Sequence, residues 1–124
     1  MKRFDPMLAS DYKEACDVLP ISPQAAAALG RRCLQHMLRF HVGVKSSNLA
    51  NEIAEAKADA SLPARILRQM EPIRHVGNSA AHPTKDSAGQ IVPVTVDEAE
   101  WTLDTIEWLF QYLFVEPVAE YERT

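Results

Sequence analysis

Cysteine, glycine and long apolar runs are all scarce in this chain of 124 residues, and each shortage removes a class of protein. Its two cysteines, Cys16 and Cys33, have neither zinc-ligand spacing nor the density of a disulfide scaffold, so free thiols inside the fold are expected. No stretch approaches the roughly 18 apolar residues needed to span a bilayer, and the charged start Met1-Lys2-Arg3 has no apolar signal core behind it. A soluble, cytoplasmic protein with no membrane partner is expected. There is no glycine-rich phosphate loop, no serine elbow and no zinc-protease His-Glu pair. His36 and His41 are five apart and do not share a helix face well, so no metal site is expected there and no cofactor elsewhere. Glu52, Glu55 and Asp59 repeat at helical spacing without a clustered partner, which reads as a wet helix face.

Basic charge is missing from one end. The net charge is −4, but residues 1–94 carry +3 and residues 95–124 carry −7, with Arg123 the single cation of that tail. Bulk electrostatics therefore do not suit a nucleic-acid binder. A basic surface from Arg31, Arg32, Arg39, Arg65, Arg68 and Arg74 remains open, as does ordinary solvated charge on amphipathic helices.

What is present is helical periodicity with clear punctuation. With 47% hydrophobic residues, 1–124 can form one domain. Asp5-Pro6 caps a first helix to about Val18, stopped by Pro20, and Ser22-Pro23 opens a second that closes at Gly43. Its apolar series runs through Leu29, Cys33, Met37 and Phe40, with Gly30 allowing a close helix contact. Ser46-Ser47-Asn48 caps a third helix from about Leu49 to Ala58. A fourth starts at Ser61-Leu62-Pro63 and runs to about Ala81, kinked at Gln69–Glu71 by Pro72. Pro83–Val94 reads as a long loop, and Thr95-Val96-Asp97-Glu98 is a capping box for a last helix to about Val115. The expected fold is an all-α bundle of four to five helices with the second, fourth and last forming the core.

The last helix carries two apolar rows. Ala99, Leu103, Ile106, Phe110 and Leu113 suit the core, whereas Trp101, Trp108, Tyr112 and Val115 form a displaced row. The second row suits a homodimer interface; a very wide core face is the alternative.

Chemistry concentrates in Arg74-His75-Val76-Gly77-Asn78-Ser79-Ala80-Ala81-His82. On a helix, Arg74, His75, Asn78 and His82 fall within an arc of roughly 100°. An Arg donor fork, an amide and two imidazoles suit a phosphate or a nucleic-acid backbone. The structural alternative is that Gly77, Ala80 and Ala81 permit tight packing, Asn78 ties down backbone and His82 ends a helix.

Ser22-Pro23-Gln24-Ala25-Ala26-Ala27, Arg31-Arg32-Cys33-Leu34, Ile73 to Pro83 and Glu98-Ala99-Glu100 together resemble the bacterial family called domain of unknown function 4145, from about Tyr12 to Pro117. That family occurs alone or attached to restriction-endonuclease subunits, and it resembles the HEPN superfamily of small helical bundles, many of which are metal-independent RNases in defence systems. The resemblance implies a HEPN-like bundle. It also implies a module that binds RNA, a nucleotide or a protein partner in a restriction or toxin-antitoxin setting. In the active HEPN pattern an Arg precedes a polar residue and, four to six positions on, a His; here Gly77 stands at the Arg position. The resemblance thus implies a non-catalytic domain, with a metal-independent endoribonuclease as the alternative. In that alternative His82 would be the acid or base, Arg74 a substitute phosphate clamp, and Asn78 with His75 ligand contacts.

Overall fold

The computed structural model describes residues 5–59, 62–73 and 94–116, and among them every regular element is helical. The helices are α1 (Pro6–Val18), α2 (Pro23–Met37), α3 (Leu49–Asp59), α4 (Ala64–Met70) and α5 (Val96–Phe110). A π-helical turn prolongs α2 over Leu38–Val42 and another prolongs α5 over Gln111–Val115. The chain is all-α as expected, and no described helix is long and apolar enough to cross a membrane.

Four side chains start four helices by accepting a backbone N–H that has no partner within the helix. Asp5 Oδ1 accepts from Leu8 at 3.1 Å, Ser22 Oγ from Ala25 at 3.1 Å, Asn48 Oδ1 from Asn51 at 2.9 Å and Thr95 Oγ1 from Glu98 at 3.1 Å. Each such cap stabilises its helix by about 1 kcal/mol. Pro6 and Pro23 follow their caps in the first turn, where a missing N–H is harmless. The end of α2 is set by Gly43 at φ 99°, a left-handed conformation that glycine adopts without strain, and its N–H reaches Leu38 O at 2.8 Å.

Helix α2 lies at the centre, packed on α1 and α5, and its π-turn meets α3. Leu34, Met37, Ile106 and Leu109 are buried between these elements, each worth roughly 1.5–3 kcal/mol of apolar transfer. The expected core of second, fourth and last helices omitted α1, yet Leu8 and Ala15 of α1 are buried in the same cluster. At the other end of α2, Ala26, Ala27 and Ala99 form a small-residue contact. Gly30 continues it: a Cβ there would lie 2.9 Å from Thr102 Cγ2 and 3.4 Å from Leu103 Cδ2.

Two details correct the sequence reading. Phe40 does not continue the buried series of α2; it is 70% exposed, and Leu38 is buried instead. The π-turn makes i→i+5 bonds, so the register of faces shifts beyond Met37. Helix α4 ends at Met70, and Glu71-Pro72 form a turn before the chain is helical again at Ile73. Pro72 has no N–H to continue the ladder, so the expected kink is a break. The rest of the expected fourth helix and most of the Pro83–Val94 loop lie outside the described residues.

Candidate functional site

Arg74, His75, Asn78 and His82, and with them the expected polar arc, lie outside the described residues. The chain enters that segment from Ile73, which is fully buried. Three of the six arginines suggested as a basic surface have acidic partners among the described residues. Arg32 pairs with Asp11 at 2.9 Å, Arg65 with Glu116 at 3.3 Å, and Arg39 with Glu52. Arg31 packs its Nε atom out of solvent with no hydrogen-bond acceptor among the described residues.

The displaced row of α5 is partly exposed. Trp101 is 41% exposed, Trp108 42% and Val115 41%, whereas Tyr112 is half-buried against the core. Trp101 is also tied to its own chain, donating from Nε1 to Gln69 O at 2.7 Å. The buried face of α5 is broader than expected, because Thr102 and Thr105 join Ala99, Leu103 and Ile106. Both hydroxyls are satisfied by carbonyls one turn back, Thr102 to Glu98 at 3.3 Å and Thr105 to Trp101 at 2.8 Å.

Two polar constellations were not read from the sequence. The first surrounds Glu52, expected on a wet face but fully buried. Its Oε1 accepts from Gln35 Nε2 at 2.9 Å, and its Oε2 accepts from Arg39 Nε and from the Ser47 N–H at 3.0 Å. Arg39 also donates to Ser47 O at 2.9 Å, and Glu55 accepts the Lys45 N–H at 2.8 Å. A buried carboxylate is tolerated when it is paired and hydrogen-bonded in this way. The network holds the Gly43–Asn48 connection against α2 and α3, a structural task.

The second constellation is Asp5 with His36 and His41. While Oδ1 of Asp5 caps α1, Oδ2 receives His36 Nε2 at 2.6 Å and His41 Nε2 at 2.8 Å. The side chains of Asp5 and His36 are each 17% exposed and that of His41 is 15% exposed. Burial raises the carboxyl of Asp5, but hydrogen bonds from His41, His36 and the Leu8 N–H outweigh it and hold the group down at about 2. Asp5 is therefore an ionised acceptor, and each Nε2 must carry a proton to bond to it. The ring of Phe40 lies 4.9 Å from His36, and that of Phe114 meets His41 edge-on at 5.0 Å.

This convergence corrects the expectation that His36 and His41 do not share a helix face well. On a regular α-helix, residues five apart diverge, but the wider turn over Leu38–Val42 brings the two rings to one side. The available sequence signal was an N-capping carboxylate at one end of a helical hairpin and two imidazoles at the returning end.

The described residues define an all-α fold built around a central helix. Residues 13–123 match the family described as a domain of unknown function (DUF4145), and the chain belongs to that family. No curated protein and no solved structure gives a significant match to it.

Proposed function

We propose that this domain is a HEPN-like module of bacterial defence systems that binds the phosphates of RNA or a nucleotide without cleaving them, and that it works as a homodimer. The observation that carries the reading is the makeup of the 74–82 segment: an Arg, an Asn and two His within nine residues, directly after the core residue Ile73. Arg74 supplies a charge-assisted donor pair for a phosphate, and Asn78 and His75 supply further donors. Because Arg32, Arg39 and Arg65 have acidic partners, phosphate contact falls to this segment more than to a broad basic face. Gly77, where the active pattern has Arg, speaks for binding without turnover. Exposure of Trp108 and Trp101 on α5 supports a second copy as the partner.

Binding of labelled RNA and of nucleotides by the full chain, in chelator and over a range of salt, tests the reading. Arg74→Ala should weaken binding and reduce the salt slope by about one, with little change in melting temperature. His82→Ala should leave most binding intact. Absence of binding to either ligand would sink the proposal. Chelator-resistant cleavage lost only with His82→Ala would replace it with the endoribonuclease.

A further inference from the structure

The side chains of Asp5, His36 and His41 present three ligand atoms that all lie within 4.8 Å of one another, where the start of α1 meets the finish of α2. Capping α1 requires one carboxylate oxygen, Oδ1 on the Leu8 N–H. The other, Oδ2, gathers both imidazole Nε2 atoms on a single point, at 2.6 and 2.8 Å. From this geometry we propose that Asp5, His36 and His41 bind one divalent transition-metal ion of the zinc class.

The donor set selects the ion. Two neutral imidazole nitrogens and one carboxylate suit zinc and its first-row neighbours, whereas magnesium and calcium prefer all-oxygen shells. Binding moves the imidazole protons from Nε2 to Nδ1 and turns both Nε2 lone pairs toward the ion. Ligand distances of about 2.0–2.2 Å in a tetrahedral shell then require the N···O separations to widen to about 3.4 Å, roughly 0.6–0.8 Å by side-chain rotation. The Leu8 N–H fixes the carboxylate from behind through Oδ1, the kind of outer contact that orients a metal ligand. Phe40 and Phe114 flank the imidazoles, and exposures of 15–17% leave a path for an ion to enter. Three protein ligands leave at least one coordination position for water, the arrangement of an open site rather than a closed structural one. The proposal is independent of the phosphate-binding reading, which rests on residues 74–82.

The test uses the full chain freed of metal by chelator. Titration with Co²⁺, followed by visible absorption, and with Zn²⁺, followed by calorimetry, should give one ion per chain. Asp5→Asn keeps an oxygen able to cap Leu8, while His36→Ala and His41→Ala each remove one nitrogen. All three should weaken binding roughly tenfold or more, and a His75→Ala/His82→Ala chain should bind as before. Circular dichroism in chelator shows whether each variant is folded. A readout that needs no variant is imidazole nitrogen NMR of the unaltered chain, where Zn²⁺ should move the Nε2 signals of His36 and His41 and leave those of His75 and His82 in place. Signals of His36 and His41 unmoved by saturating Zn²⁺, or ion uptake that survives loss of both and disappears with His75 and His82, would overturn the proposal.

Discussion

Gly30 of α2 faces Thr102 of α5 so closely that a Cβ would come to 2.9 Å from Thr102 Cγ2. Two effects compete in Gly30→Ala. Helix propensity favours alanine by about 1 kcal/mol, while overpacking a rigid contact costs about 1–3 kcal/mol. Thr102 is fully buried and its hydroxyl is bonded to Glu98 O, so it has little room to withdraw. Gly30→Ala should therefore destabilise the domain by about 1 kcal/mol in urea unfolding. Adding Thr102→Ser, which deletes Cγ2, should restore stability; a single variant more stable than the unaltered chain would show that α2 and α5 separate easily.

Removing the carboxylate of Glu52 should be among the most damaging single changes outside the apolar core. Glu52→Ala leaves Gln35, Arg39 and the Ser47 N–H without their shared acceptor. Breaking a buried pair costs about 3–5 kcal/mol, reduced here because Arg39, at 32% side-chain exposure, can turn partly to water. A loss of about 2–4 kcal/mol is expected. Faster amide exchange in residues 44–48 should accompany it, and a loss below about 1 kcal/mol would place the network among ordinary surface contacts.

Cys33 should be inert to alkylation while the protein is folded. Burial, helped by the Asp11 and Asp5 charges, pushes its thiol up from 9.0 to about 12. Because the folded state favours the neutral thiol, its contribution to stability is complete below about pH 9 and is lost as pH rises toward 12. Mass spectrometry after iodoacetamide treatment at pH 9 should find label on Cys16 before Cys33. Over the same alkaline range, stability of Cys33→Ala should fall less steeply than that of the unaltered chain.

Replacing Trp108 with Glu should dissociate the proposed homodimer and leave the monomer folded, since Trp108 is 42% exposed. Trp101→Phe should act differently, lowering stability through loss of the bond to Gln69 O. Light scattering that shows only monomer for the unaltered chain at tens of micromolar, on the order of weak affinities, would remove the dimer from the account.

Local chemistry made the helix starts legible. Asp5, Ser22, Asn48 and Thr95 each bond to an N–H three residues ahead, so their role needs no knowledge of the rest of the fold. Gly43 and Gly30 were readable for similar reasons, one through its backbone and the other through its missing side chain. The π-turn at Leu38–Val42 was not readable from an assumed 3.6-residue period, and both the exposure of Phe40 and the meeting of His36 with His41 depend on it. Glu52 does carry a sequence trace of its burial: it lies between Leu49 and Ala56 on the stripe that also holds buried Ile53. Its partners come from α2 and from the connection to α3, and spacing along one helix cannot reveal them. For the 74–82 segment only residue types and their order bear on the reading.

Asp5 reaches three residues along the chain to Leu8 with one oxygen, and 31 and 36 residues along it to His36 and His41 with the other. A helix start that depends only on its own cap frays independently of the domain. Here the side chain that begins α1 is held by the turn that finishes α2, so unwinding either end releases the other. The amide of Leu8 should consequently exchange with solvent at the rate of hairpin opening instead of terminal fraying, making one backbone proton a reporter on the cooperativity of residues 5–42.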